Sequence, residues 1–421
     1  MNDTVAVILA AGKSTRMHSS FSKVLHKIYG KSMLEYLLDD VRSIGIKRGF
    51  VIINSSNGIK KKIILPRGFR IVQQTKLLGT GHALRQAAAA LGRFKGDILV
   101  LYGDTPLLTV ETLRNLLAKH HVSDAACTLL TTTVKEPTGY GRIVRDEKSD
   151  VIKIVEEADA SLYEKMIHEI NAGAYCFQAG EIFRILPLLK RKGAKREYYL
   201  TDAIELLAKH RARIDSIHTD NPDEAIGVNS RLDLARAQTL AKSRILTDLM
   251  RQGVGIIDPA TTHIYNDVTI DQDTIIYPFT VIESNVRIGR KCRIGPFARI
   301  RPRTVIGDNV EIGNFVEIVR SSVGSGTVIR HRCYLGDARI GSNVNIGAGT
   351  TTANYENARA HTTTIGNNAW IGSGTVLIAP VSIGKAAETA PGSIIAKNTA
   401  VAAGSFVGGI PAKVIKKKGR A

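Results

Sequence analysis

The chain has 421 residues, with 58 Lys+Arg against 38 Asp+Glu and a formal charge of +20. That length accommodates two or three domains with real cores, and no apolar run reaches membrane-spanning length, so membrane insertion is not expected. The charge favours anionic partners, but aromatics are only 5% of the residues and no nucleic-acid-binding signature is present; phosphate-bearing small substrates are expected instead.

The first apolar run, residues 5–9, reads as a buried strand entered directly from the N-terminus, with no secretory or transit features. It turns through Leu9-Ala10-Ala11-Gly12-Lys13-Ser14-Thr15-Arg16-Met17. Small side chains let backbone N–H groups approach a phosphate chain, and Lys13 and Arg16 add positive charge there. This is not a Walker sequence. A ligand-free turn would explain a lone Gly-rich loop, but the whole string followed by Lys23 favours a phosphate site. Residues 49–53, 71–73, 97–102 and 127–132 read as further strands, and 33–44, 81–91 and 110–120 as helices. This alternation predicts a mostly parallel, doubly wound α/β sheet with ligands at the carboxyl ends of its strands. Residues 230–252 read as one long helix closed by Gly253.

Beyond that helix the period becomes six. Ile264, Ile270, Ile276, Ile282, Ile288, Ile294, Ile300, Ile306, Ile312 and Ile318 recur in strict steps, and Gly follows several of them. The register slips near Val323 and resumes through Ile340, Ile346, Ile365, Ile371 and Ile383. This is the mark of a parallel β-helix: three six-residue sides form a triangular coil, isoleucine points inward, and Gly is expected to turn the corner. Residues 354–361 interrupt the coils and read as a projecting loop. The expected domains are 1–229, a linker helix over 230–253, and a β-helix over 254–421. The four cysteines, Cys127, Cys176, Cys292 and Cys333, form no Cys-x-x-Cys, which suits reduced thiols and a cytoplasmic location. The basic run Lys416-Lys417-Lys418 with Arg420 is expected to be a frayed, solvated tail.

The first loop resembles the signature loop of sugar nucleotidyltransferases. Taken with the hexapeptide half, the chain resembles the bacterial bifunctional N-acetylglucosamine-1-phosphate uridyltransferase / glucosamine-1-phosphate N-acetyltransferase family over nearly its whole length. The matching strings include Leu78-Gly79-Thr80-Gly81-His82-Ala83 after Gln74, Leu101-Tyr102-Gly103-Asp104, and Gly139-Tyr140-Gly141-Arg142. Further matches are Ile154-Val155-Glu156, Glu169-Ile170-Asn171 and Gly227-Val228-Asn229. The fold implied is a Rossmann-like nucleotidyltransferase domain followed by a left-handed parallel β-helix.

The resemblance implies that Asp104 and Asn229 hold Mg²⁺, whose preference is for hard oxygen ligands. Arg16 and Lys23 would be catalytic, offsetting charge on UTP and the leaving pyrophosphate. Leu9, Ala10, Ala11 and Gly12 would line the nucleotide, Gln74, Gly79 and Thr80 would read uracil, and Tyr102 and Gly103 would border the site. Gly141, Glu156 and Asn171 would hold the sugar. In isolation, Asp104 could cap a turn and Asn229 could cap the following helix.

In the second half, the resemblance makes His331 the base that takes a proton during acetyl transfer from acetyl-CoA. Arg301 would bind the sugar phosphate, with Tyr334, Asn345, Asn354 and Tyr355 on the sugar and Ala348 and Ser373 on the coenzyme. Two lysines of the family pattern are replaced here by Val319 and Ala360, each beside an arginine, Arg320 and Arg359. A homotrimer is implied, since the coenzyme groove of such prisms lies between subunits. Two other readings share this architecture: a monofunctional or differently specific sugar-1-phosphate nucleotidyltransferase with a structural prism, and a non-enzymatic regulatory subunit.

Overall fold

Strands Thr4–Ala10 and Asp97–Tyr102 are apolar on both faces, as a parallel sheet covered on both sides requires. Successive residues point to opposite cores. Val7, Leu9, Ile98 and Val100 join the helices Thr80–Leu91, Ala179–Ile185 and Asp202–Lys209 on one face. Ala6, Ile8, Leu99 and Leu101 join Met33–Ser43 and Val110–Ser123 on the other. The computed structural model describes residues 3–54, 63–193 and 196–417 and divides into two units, Met1–Gln238 and Thr239–Ala421.

In the first unit the sheet runs Ile214–His218, Cys127–Thr133, Glu169–Gln178, Asp97–Tyr102, Thr4–Ala10, Gly49–Asn54, Phe69–Gln74. Thr4–Ala10 sends the chain to one side and receives it back on the other, so the crevice beside its carboxyl end is the topological switch point. Glu169–Gln178 was not among the expected strands and runs antiparallel between two neighbours. Its amino-terminal end therefore lies beside the carboxyl ends of the flanking strands. A bulge between Asn171 and Tyr175, with Gly173 at φ 76°, disturbs the ladder at that point. A hairpin, Arg142–Arg145 with Val151–Val155, joins the same strand through Ile170 and Arg142.

The helix Arg231–Arg251 follows, and its Leu246 and Leu249 belong to the core of the second unit. That unit is a left-handed parallel β-helix of three sheets with ten, eight and eight strands. Ile276, Ile294, Ile312, Ile329, Ile346 and Ile371 stack in register along one sheet, all at most 3% exposed. The slip seen in sequence appears where Ile318 pairs with Leu335 and Ile306 with Val323, one residue short of a full coil.

The corners correct one expectation. Many carry left-handed residues that are not glycine, among them Phe279 at φ 58°, Asn285 at 59°, Phe297 at 55°, Asn309 at 57° and Phe315 at 57°. The glycines after isoleucine serve another need. A Cβ on Gly307 would lie 2.8 Å from the Ser325 nitrogen, and one on Gly324 would lie 2.5 Å from the Gly341 carbonyl carbon. Glycine there permits close stacking of successive coils.

The tail also differs from expectation. Residues Ala412–Lys417 form an antiparallel strand against Ser405–Gly409, pairing Phe406 with Lys416 and Ser405 with Lys417. Backbone pairing thus extends into the basic run, while Lys418 and Arg420 lie outside the described residues. All four cysteines are free and buried, and no helix among the described residues is long and apolar enough to cross a membrane.

Candidate active site

The first site assembles at the switch point. The loop after Thr4–Ala10 folds back through Ser14, whose Oγ accepts from the Lys23 backbone N–H at 2.7 Å. Lys23 is thereby drawn over Gly12, where an added Cβ would lie 3.8 Å from its Cε. The ammonium donates to Asp104 Oδ2 and, at 2.7 Å, to Asn229 Oδ1. Asp104 stands just past Asp97–Tyr102, and its backbone carbonyl accepts from the Val228 N–H at 2.8 Å, bringing the 228–229 segment alongside.

Two ambiguities of the sequence end here. The Asp104 carboxylate is engaged with Lys23 and caps no turn. Asn229 is not the helix cap either. Ser230 and Asp233 hold that end: the Asp233 N–H donates to Ser230 Oγ at 3.2 Å, and Ser230 N–H donates to Asp233 Oδ2 at 2.8 Å. The Asn229 side-chain oxygen is thereby left to face the cation. Arg16 and Lys13 are exposed, and Arg16 takes no hydrogen bond or ion pair from the described residues.

A divalent cation suits this donor set. A carboxylate and an amide oxygen already converge on one positive charge, and a Mg²⁺ held by two such oxygens completes its shell with water and substrate phosphates. Among the described residues no group of three or more His, Cys, Asp or Glu side chains could hold a metal. Protein ligation alone therefore supplies only part of a coordination shell.

The remaining residues named for this site fall into two groups. Gln74, only 3% exposed, donates through Nε2 to the Gly79 carbonyl at 3.0 Å. Gly79 has φ 98°, and a Cβ there would lie 2.5 Å from the Tyr198 carbonyl oxygen, so the close approach requires glycine. Thr80 Oγ1 accepts from the Leu200 N–H at 3.0 Å. Gly103 donates to the Leu9 carbonyl at 2.9 Å, closing the gap between the two central strands.

On the sugar side, Gly141 accepts from the Asn171 N–H at 2.9 Å, and a Cβ on Gly141 would lie 3.7 Å from Glu156 Oε2. Glu156 Oε1 accepts from Thr201 at 2.8 Å, and burial raises its carboxyl above the usual carboxylate range. Asn171 Oδ1 accepts from the Gly173 N–H at 3.1 Å inside the bulge. Burial raises the Tyr102 phenol as well, and its oxygen lies 3.4 Å from that of Tyr175. Ser14 and Thr201 fix Lys23 and Glu156; the sequence gives neither hydroxyl a role of its own, because nothing in their spacing distinguishes them from ordinary loop hydroxyls.

The second site is arranged along the prism. His331 is exposed at the end of Val328–His331, and its Nδ1 lies 2.8 Å from Asn314 Oδ1 on the preceding coil. An Nδ1–H donating to that oxygen leaves Nε2 of a neutral ring with its lone pair. Asn314 is a neighbour of His331 to which the sequence assigns no role. Arg301 pairs with Glu317 at 2.8 Å, and Glu317 is the register partner of Tyr334. A Cβ on Gly336 would lie 2.7 Å from both Tyr334 Oη and Asn354 Nδ2, which places these two polar groups together.

Asn354 is 5% exposed and donates to Asp337, so it forms the buried root of the projecting loop. The loop beyond it is a hairpin of Tyr355–Glu356 with Arg359–Ala360, closed by the His361 N–H donating to the Asn354 carbonyl at 2.7 Å. Tyr355 is 70% exposed at its start. Arg320 grips Asp337 with two hydrogen bonds of 2.7 Å and holds that carboxyl below its ordinary value. Its guanidinium is therefore committed to Asp337, and Val319 beside it is buried. Asn345 pairs laterally with Trp370. Ala348 and Ser373 are exposed corner residues joined through the Gly374 N–H, which donates to the Ala348 carbonyl at 2.7 Å. The Gly349 N–H donates to the His331 carbonyl at 3.3 Å, which brings the coil of Ala348 alongside His331.

Residues 6–168 match the MobA-like NTP transferase domain family, and residues 285–320 and 362–397 match the bacterial transferase hexapeptide family of six repeats. The chain is 42% identical to the bifunctional protein GlmU of Pelotomaculum thermopropionicum, with 90% of each chain covered. It is 41% identical to the bifunctional protein GlmU of Shouchella clausii, with 94% of each covered. Against that of Syntrophomonas wolfei it is 39% identical, covering 93% of this chain and 95% of the relative.

Proposed function

The chain belongs to the GlmU family of bifunctional proteins, and from that premise we propose that it makes UDP-N-acetylglucosamine in two successive transfers. It is an enzyme whose family members are UDP-N-acetylglucosamine pyrophosphorylases and glucosamine-1-phosphate acetyltransferases. The observation that carries the assignment to this chain is the convergence of Lys23, Asp104 and Asn229 at the switch-point crevice. A regulatory scaffold has no need of that cationic and oxygen-donor cluster.

In the β-helix, the amine of glucosamine 1-phosphate attacks the thioester carbonyl of acetyl-CoA. The C–N bond forms, the C–S bond breaks, and the amine proton passes to His331 Nε2 while Asn314 holds the ring in the required tautomer. Arg301 neutralises the sugar phosphate, Tyr334, Asn345, Asn354 and Tyr355 orient the sugar, and Ala348 and Ser373 line the coenzyme.

In the nucleotidyltransferase unit, a phosphate oxygen of N-acetylglucosamine 1-phosphate attacks the α-phosphorus of UTP, and the bond to pyrophosphate breaks. Most of the acceleration comes from positioning and charge neutralisation. Arg16 and Lys23 draw off charge from the phosphates. Leu9, Ala10, Ala11, Gly12 and Gly103 bring backbone close to the nucleotide. Gln74, Gly79 and Thr80 face the base, and Tyr102, Gly141, Glu156 and Asn171 enclose the acetylated sugar. Asp104 and Asn229 would hold a Mg²⁺, which when bound screens the triphosphate charge and aligns its oxygens. The protein would work in the cytoplasm as a homotrimer, in supply of cell-envelope sugars.

The test is product analysis with both substrate pairs. UTP, Mg²⁺ and N-acetylglucosamine 1-phosphate should yield UDP-N-acetylglucosamine and pyrophosphate; acetyl-CoA and glucosamine 1-phosphate should yield free thiol and acetylated sugar. Uridylyl transfer without acetylation would leave the prism a structural role only.

A further inference from the structure

The amide of Gln74 has two ends, and the structure decides which one is used up. Nε2 lies 3.0 Å from the Gly79 carbonyl and 2.9 Å from His82 Nδ1. A backbone carbonyl can only accept, so the NH₂ end must be the one facing Gly79. The same NH₂ carries a second proton, which faces His82 Nδ1. That nitrogen must then be bare, so the neutral ring carries its proton on Nε2. The Gln86 amide nitrogen lies 3.3 Å from Nε2, where two N–H groups would oppose each other, so this tautomer requires the Gln86 amide to turn and present its oxygen. One fixed carbonyl therefore orients three side chains in sequence. The Gln74 carbonyl oxygen is what remains, and it takes no hydrogen bond from the described residues.

We infer that His82 is a positioning residue for base selection: by accepting from the Gln74 amide it locks the Gln74 carbonyl oxygen toward the nucleotide, where it selects a pyrimidine whose ring N3 bears a hydrogen. This rests on the reading of Gln74 as a uracil contact. Uracil and thymine offer an N3–H donor; cytosine offers a bare N3, which would face the amide oxygen lone pair to lone pair. A reversed amide would favour cytosine, so discrimination depends on whatever prevents the reversal. Gly79 provides one restraint and His82 the other. A charged imidazole would carry a proton on Nδ1 and oppose the Gln74 NH₂. Burial, and then Arg85, Arg191 and Lys76, hold the His82 ring below the ordinary histidine value, which keeps it neutral near pH 7. The ring also stacks on Tyr198, with centroids 6.4 Å apart, so a phenyl group can occupy its place without emptying it.

The experiment compares kcat/KM for UTP and CTP, with N-acetylglucosamine 1-phosphate and Mg²⁺, in the full-length wild type and in His82→Phe. The UTP-over-CTP preference should fall about fivefold to tenfold, the scale of one lost amide hydrogen bond, while KM for the sugar phosphate stays within twofold. Equal losses for the two nucleotides, or an unchanged ratio, would overturn the inference while leaving uridylyl transfer intact. Absence of UTP turnover in the wild type would instead overturn the functional reading beneath it. A second measurement needs no variant: nitrogen-15 NMR of His82 in the wild-type protein should show an unprotonated Nδ1 at pH 7. A ring protonated at Nδ1 defeats the proposal.

Discussion

Lys23 donates to the Asp104 carboxylate across the mouth of the central strands, the two side chains only 13% and 20% exposed. The pair joins the loop after the first strand to the residue after the fourth. A divalent cation bound as proposed would compete with the ammonium for the same oxygens, and the proposed nucleotide chemistry would then rest on a single carboxylate. Asp104→Asn keeps the shape and removes the charge. Uridylyl transfer should fall at least about 100-fold, and Mg²⁺ affinity measured by calorimetry should weaken. Acetyl transfer should stay within about twofold, since the residues expected to carry it all belong to the second unit.

Glu156 has the opposite character to most paired carboxylates. Burial raises its folded value above the unfolded one, so the folded state favours its protonated form. Its contribution to stability therefore grows as pH falls through the folded value, and at neutral pH its charge opposes folding. Glu156→Gln should raise the thermal midpoint at pH 7.5 by roughly 2–4 °C, with the gain vanishing in acid. KM for N-acetylglucosamine 1-phosphate should rise about tenfold, the loss expected of one charge-assisted hydrogen bond. Calorimetric scans across pH, with steady-state kinetics, check both halves.

His331 Nδ1 lies 2.8 Å from Asn314 Oδ1, and the proposed acetyl transfer uses this contact to orient the ring. His331→Ala should lower acetyl transfer by about 100-fold or more. Asn314→Leu should lower it by about tenfold without altering substrate KM, because it releases the ring. Thiol release from acetyl-CoA reads out both variants, and pyrophosphate release should be unaffected.

Ile312 lies 1% exposed between the coils of Ile294 and Ile329. Ile312→Ala should cost about 2–5 kcal/mol. Because each coil is supported by its two neighbours, the loss should lower acetyl transfer on mild heating. Temperature-dependent assays of the two activities, run in parallel, should show acetyl transfer failing first.

The prism was open to reading because its signal is periodic: an inward isoleucine every sixth residue is the structure itself written in one dimension. The parallel strands were legible for a related reason, being short apolar runs. Glu169–Gln178 was hidden because its amino-terminal residues include polar Glu169, which pairs with Arg145, and Asn171, which accepts from Gly173 inside the bulge. Residues of the sites could be named from motifs, but their wiring could not. The Ser230-x-x-Asp233 cap is a local pattern, but nothing local says that Lys23 reaches Asn229 or that Asp337 claims Arg320. Those facts arise from segments brought together by the sheet and the coils. Glycine was half understood: its recurrence was plain, but the need it meets is closeness between layers, visible only once the layers are stacked.

The excursion between Asn354 and His361 leaves and rejoins its layer at one pinned doorway, and Ile346 still meets Ile371 in line beyond it. Such a scaffold treats the appendage as an exchangeable cassette. Changes confined to those few positions leave the stacking of the coils intact, so the loop can be rewritten without unravelling the spiral.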